Sequence, residues 1–226
     1  MWLYLALFIP FALFTMFAQW FVKHRIKKMM EMEAAAGLTG AQVAQKILEI
    51  NGITDVKVEE TDGFLSDHYS PKELTLRLSP DIFSGTHVSA LGVAAHEVGH
   101  AIQHQKAWAP LQLRQTLVPA AMFGTNAGMF LLMLSVFLAG AGQISTVFAQ
   151  IGLILYAIAV FFALVTLPVE FDASSRAKAQ LAQLGLVQPQ EATAVAKVLN
   201  AAALTYVAAA AAAVGQLIYW FLRTRH

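Results

Sequence analysis

A chain of 226 residues that is 58% hydrophobic, with a mean hydropathy of +0.58, is too apolar for an ordinary soluble domain and too short for two large ones. Its formal net charge of +1 and single basic cluster give no footprint for nucleic acid. The absence of cysteine excludes disulfides and thiolate zinc sites, so any metal must be held by histidine and carboxylate.

Trp2 to Val22 is an unbroken apolar run long enough to span a bilayer, with Trp2, Tyr4 and Trp20 near its ends as interfacial aromatics and Pro10 as a point of kinking. Lys23, Arg25, Lys27 and Lys28 follow the run, whereas a cleavable signal carries its charge in front. The positive-inside rule then places the N-terminus outside and the next segment in the cytoplasm. Residues 1–22 are thus expected to be an anchor and residues 23–116 a cytoplasmic α+β region.

Within that region Thr39 to Ile50 reads as an amphipathic helix, with Thr39 and Gln42 as a capping box, Val43, Ile47 and Ile50 on the buried side, and Asn51-Gly52 as the stop. Val56 to Glu59 and Leu74 to Leu78 alternate as half-buried strands do and are expected to pair. Leu65 to Tyr69 between them is left as a loop. Leu74 to Leu78 is the expected strand for receiving an extended substrate by backbone pairing.

From Leu91 to Gln105 a helix is expected, capped by Thr86 or Ser84 and packing through Leu91, Ala95, Val98 and Ile102. It carries His96-Glu97-Val98-Gly99-His100. Two histidines four apart are rotated by only about 40° and separated by ~6 Å, so both rings can reach one metal ion, and the adjoining glutamate can deprotonate a water there. Imidazole ligands with no thiol in the chain favour zinc. His104 extends the row, but three ligands from one straight helix cannot surround an ion, and the metzincin pattern needs histidine where Lys106 stands. It is expected at the rim of the site or behind the ligands.

Leu117 to Ala139 is a second span opening with Pro119, and Gly124 to Gly128 gives it a small-residue packing face on which Asn126 is expected to hydrogen-bond between helices. Gly140 to Ser145 turns the chain into a third span, Thr146 to Leu167, so residues 117–168 form a hairpin. Directly after it stand Glu170 and Asp172, a carboxylate pair at a membrane boundary that a metal would compensate. Residues 169–189 are therefore expected to be a separate helix, broken by Gly185 and Pro189, that brings a third ligand to the two histidines. The residues themselves leave Glu170 and Asp172 both open for that role. Asn200 to Leu222, within residues 190–226, is either a fourth span or a helix buried against the others; as a span it leaves Arg223 and Arg225 outside, a minority of the fifteen Lys and Arg.

The fold class expected is a mainly α membrane protein with about four transmembrane or membrane-embedded helices and a small cytoplasmic zincin-like α+β region holding a short β-sheet. On Leu65-Ser66-Asp67-His68-Tyr69, Leu76-Arg77-Leu78-Ser79-Pro80, Ala90 to Ala95 leading into the HEVGH run, the hairpin and Pro168 to Ser174, the chain resembles the YugP-like membrane zinc metallopeptidases. These fall in the broad gluzincin group with the HtpX and CAAX prenyl proteases. The resemblance implies zinc on His96, His100 and Glu170, Glu97 as general base, a protein or peptide substrate, and residence in a bacterial inner membrane with the active site facing the cytoplasm. Oligomers or accessory membrane partners are compatible with it. The chain departs from the HtpX and CAAX pattern at Ser174, where those enzymes place an aspartate that orients a ligating histidine. Asp172 is the nearby acid that can take that task or compete for the metal.

For stabilising the oxyanion, Arg176, His68 and His87 are candidates by chemistry alone. Two other function classes remain: a non-catalytic scaffold holding zinc, for which Glu97 would have no task, and a transporter, which ionisable residues lying outside the spans disfavour.

Overall fold

The computed structural model describes residues 2–140 and 142–224, with the side chains of residues 2–7 excepted, so the side chains of Trp2 and Tyr4, and Arg225 altogether, fall outside what is described. The chain runs α1 (Trp2–Met30), α2 (Gly40–Ile50), β1 (Lys57–Glu60), β2 (His68–Ser70), β3 (Thr75–Leu78), α3 (Pro80–Phe83), α4 (Val88–Gln105), α5 (Ala109–Phe137), α6 (Gln143–Gln183) and α7 (Pro189–Arg223). It divides into two compact units: Met1–Ala18, Gln112–Pro168 and Thr205–His226 form one, Gln19–Leu111 and Val169–Leu204 the other.

The first unit is built from helices without a polar face. Among the described residues, α5, α6 and α7 are each long and apolar enough to cross a bilayer. Large apolar side chains point outward, Phe137 at 91% and Ile154 at 67% exposed, the arrangement expected where the solvent is hydrocarbon. Inside, α5 and α6 approach through glycine: a Cβ on Gly124 would lie 2.4 Å from the Leu155 carbonyl, and one on Gly128 2.8 Å from the Tyr156 nitrogen. The expected small-residue face is therefore the contact. Asn126 is not part of it; it lies on the exposed side, because the glycines four apart already fill the interface. On α7, Gln216 accepts from the Tyr156 hydroxyl at 3.1 Å, and Trp220 packs with Leu132, Tyr156 and Val160.

Three boundaries differ from the sequence reading. Pro119 sits inside α5 and not in its first turn, since Ala109-Pro110 already starts the helix. Pro168 does not separate a span from a ligand helix: α6 continues through it for 41 residues. The C-terminal helix starts at Pro189, before the apolar stretch. In all three cases helix-forming residues extend well past the run that hydropathy marks.

In the second unit the capping box forms as expected, Thr39 Oγ1 accepting from Gln42 N and Gln42 Oε1 from Thr39 N, and Asn51 with left-handed Gly52 ends α2. Val43 and Ile47 are buried, but Ile50, in the last turn, is 56% exposed. β1 pairs parallel with β3 and β2 pairs antiparallel with it, in the order β1-β3-β2. The segment expected as a loop thus contributes a three-residue strand, too short to show alternation. β3 lies in the centre with neighbours on both sides, so it has no edge to offer an extended substrate. Leu76, Leu78 and Ile82 pack with Val43, Ile47 and the Leu91, Val98 and Ile102 face of α4 in one core.

Candidate metal centre

The helix that carries the two histidines is fixed by its apolar stripe: Leu91, Ala95, Val98 and Ile102 are all buried. Its cap is His87, not Thr86 or Ser84; the His87 Nδ1 accepts from Ala90 N at 3.1 Å, and burial lowers the pKa of the ring. That role, and nine residues of helix or roughly 13 Å of rise between His87 and His96, remove His87 from the oxyanion candidates. Gly99 allows a close approach: a Cβ there would lie 2.6 Å from the Ala173 carbonyl on α6. The backbone of α6 can consequently touch α4 one residue from His100, and Glu170, three residues before Ala173, is carried to the histidines.

His96, His100 and Glu170 offer ligand atoms that all lie within 4.8 Å of one another. Glu170 Oε2 is 3.2 Å from His96 Nε2 and 3.7 Å from His100 Nε2. Tetrahedral zinc with bonds of about 2.0–2.1 Å needs ligand atoms about 3.3 Å apart, and the two separations from the Glu170 oxygen, 3.2 and 3.7 Å, lie close to that. Two imidazoles and a carboxylate without thiolate suit zinc, and three protein ligands leave a fourth position open. The donor set fits the metal.

The far sides of both rings are engaged. His96 Nδ1 meets Ser174 Oγ at 3.1 Å, so the serine occupies the place where the HtpX and CAAX pattern has its aspartate. His100 Nδ1 donates to Gln103 Oε1 at 3.0 Å. Gln103 in turn donates from Nε2 to Val169 O and to Asp172 Oδ2, each at 2.8 Å, and Asp172 also accepts from Arg176 Nε. Asp172 therefore stands behind the trio and not within it.

Burial and charge set the acidities. For Glu97 burial is the largest influence and raises the pKa, against the two neighbouring histidines. For Glu170 burial also raises, but the hydrogen bonds from His100 and His96 outweigh it and hold the carboxyl far below the usual range. For His100 burial lowers, and the hydrogen bond to Glu170 with the charges of Glu97 and Glu170 reverses it, leaving the ring above its ordinary value.

The other sequence candidates have other partners. Arg176 is paired with Asp172; His68, on β2, is exposed with Nδ1 2.7 Å from the Ser66 carbonyl; and His104 Nδ1 meets Tyr69 OH at 2.9 Å. Sequence reasoning missed Gln103 and Gly99, although a glutamine three residues after a ligand in an apolar run was a readable signal. It also passed over the job of Asp67, which accepts from Ser79 N at 2.8 Å and Oγ at 3.0 Å, tying the β2 approach to the end of β3. Burial raises the Asp67 pKa, and its charge acts on Glu97.

A family described as "Putative neutral zinc metallopeptidase" matches residues 4–225. The "Putative membrane protease YugP" of Bacillus subtilis (strain 168) is 45% identical over 204 residues, covering 90% of this chain and 88% of that protein. No solved structure matches the chain.

Proposed function

Because the chain belongs to the family described as "Putative neutral zinc metallopeptidase", we propose that it is a membrane-anchored, zinc-dependent endopeptidase with His96, His100 and Glu170 as ligands and Glu97 as general base. The observation that carries this reading is the trio itself: α4 and α6 bring two imidazoles and one carboxylate within 4.8 Å of one another, with an acid beside them, which supports a three-ligand site. Bound there, zinc would supply Lewis acidity, polarising a peptide carbonyl and making water acidic enough to lose a proton near neutral pH. Glu97 takes that proton and hands it to the leaving nitrogen. Burial, by raising its pKa toward the working pH, suits it to both transfers. Glu170, kept ionised by its histidine neighbours, holds the third position without competing for the proton.

An extended peptide would add to β2, which among the described residues pairs on one side only, and not to β3. α1 is read as a fourth crossing with the N-terminus outside, so that the segment holding α4 works from the cytoplasmic side of a bacterial inner membrane. The residue boundaries that go with this are an anchor at 1–22, a working region at 23–116, a hairpin at 117–168, the ligand segment at 169–189 and a closing membrane helix at 190–226.

The test is cleavage of casein by detergent-purified protein, with zinc measured on the same samples. Glu97→Gln is expected to keep zinc and lose about 10²–10⁴-fold in rate, and Glu170→Ala to lose zinc. Full activity in Glu97→Gln would remove the general base. Zinc bound by a wild type that cleaves nothing would favour the scaffold.

A further inference from the structure

Gln103 is the most enclosed polar side chain near the trio, with 0% exposure, and both its amide nitrogen and its amide oxygen have hydrogen-bond partners. The two acceptors at 2.8 Å from its Nε2, the Val169 carbonyl and Asp172 Oδ2, cannot donate in return: the first is a carbonyl, and the second is an oxygen already accepting from Arg176. The amide can therefore sit only one way round, with Oε1 toward His100 Nδ1. An amide oxygen accepts and never donates, so Nδ1 keeps its hydrogen, and Nε2, on the side where Glu170 lies, is the nitrogen whose lone pair is exposed when the ring is neutral. Two of these hydrogen bonds, from Gln103 Nε2 to Val169 and Asp172, join the two helices, while the third ties Gln103 to His100 one turn away on α4; Val169 and Asp172 flank Glu170 on α6.

We propose that Gln103 is a positioning residue of the metal centre: oriented by Val169 and Asp172, it fixes the tautomer of His100 and locks the register of α6 so that Glu170 meets both histidines. The inference rests on the metallopeptidase reading. Ser174 serves His96 less strictly, since a hydroxyl rotates and can either donate or accept at the 3.1 Å contact. The two rings are thus held unequally, His100 by a fully determined amide and His96 by an adaptable hydroxyl.

The experiment measures zinc dissociation constants by competition with a chromogenic chelator, and the visible spectrum after Co(II) substitution, for full-length protein in detergent. Gln103→Glu keeps the shape but removes both donors and sets a carboxylate against Asp172; it is expected to weaken zinc binding by about 10–100-fold and to alter the cobalt bands. Adding Asp172→Asn restores a donor facing the new carboxylate, and the double variant is expected to return to within a few-fold of wild type with wild-type bands. Ser174→Ala is expected to lose less than Gln103→Glu. A general loss of packing would not be repaired by Asp172→Asn, so thermal unfolding of the metal-free forms runs alongside. Gln103→Glu binding zinc as wild type does, or the double variant folding without recovery, overturns the positioning role alone. If wild-type zinc binding is insensitive to His96→Ala, the metal reading fails, and this inference fails with it.

Discussion

Three ionisable groups at the centre, Glu97, His100 and Glu170, bias the metal-free and metal-loaded proteins toward opposite ends of the pH scale. His100 is raised above 6.5, so the stability it contributes without metal is complete below that value and is lost as the pH climbs through its folded pKa. Glu170 is lowered from 4.5, so its contribution is present above that value and is lost only in strong acid. Glu97 is raised from 4.5 by burial, and a raised carboxyl loses stability as the pH passes upward. His100 and Glu97 therefore favour the metal-free protein in weak acid, and Glu170 contributes equally across weak acid and neutral pH. Zinc needs the opposite, because each imidazole must give up its Nε2 proton to bind. Thermal unfolding between about pH 5.5 and 8 should show the metal-free Tm falling, while the increment produced by added zinc grows. A metal-free Tm that stays flat or rises over that range would contradict the assignment of the His100 and Glu170 pair.

At the scale of elements, the centre exists because two helices touch at one residue. Gly99 places the α4 backbone against Ala173, with a built Cβ 2.6 Å from a carbonyl oxygen, whereas Gly92, two turns earlier, would meet only the Val195 side chain at 3.3 Å. Gly99→Ala must push α6 away and should cost roughly 1–3 kcal/mol together with most of the zinc; Gly92→Ala asks only a rotamer adjustment of Val195 and should keep the metal. Calorimetry and zinc content on the pair decide it, and equal behaviour would mean that the helix contact does not set the site. The same contrast explains what was legible in the letters. His96 and His100 share a helix, so their spacing alone announces them, and the capping box of α2 and the glycine face of α5 are equally local. The partner of Gly99, the single orientation of Gln103 and the strand at His68–Ser70 depend on residues about seventy positions away or on runs too short to have a period. Pro119 reads as opening a helix because the apolar run starts two residues before it, whereas α5 already begins at Ala109.

For the whole molecule the charge pattern makes a claim that this cysteine-free chain is well suited to test. Lys23, Arg25, Lys27 and Lys28 follow the first apolar run, while the stretch joining α5 to α6 has no ionisable residue. Positively charged flanks are retained in the cytoplasm, so residues 23–116 should face inward and the α5 to α6 turn outward. Lys46 and Gly140 are both exposed, and a Cβ at Gly140 meets nothing within 4 Å, so a single cysteine is tolerated at either place. With a membrane-impermeant maleimide on intact bacterial cells, Gly140→Cys should label at once, and Lys46→Cys only after permeabilisation, against no background from native thiols. Labelling of Lys46→Cys in intact cells would turn the protein over. Because Lys46 belongs to the same compact unit as His96, His100 and Glu170, the trio would then work on the outer side, and the substrates to seek would be extracytoplasmic chains.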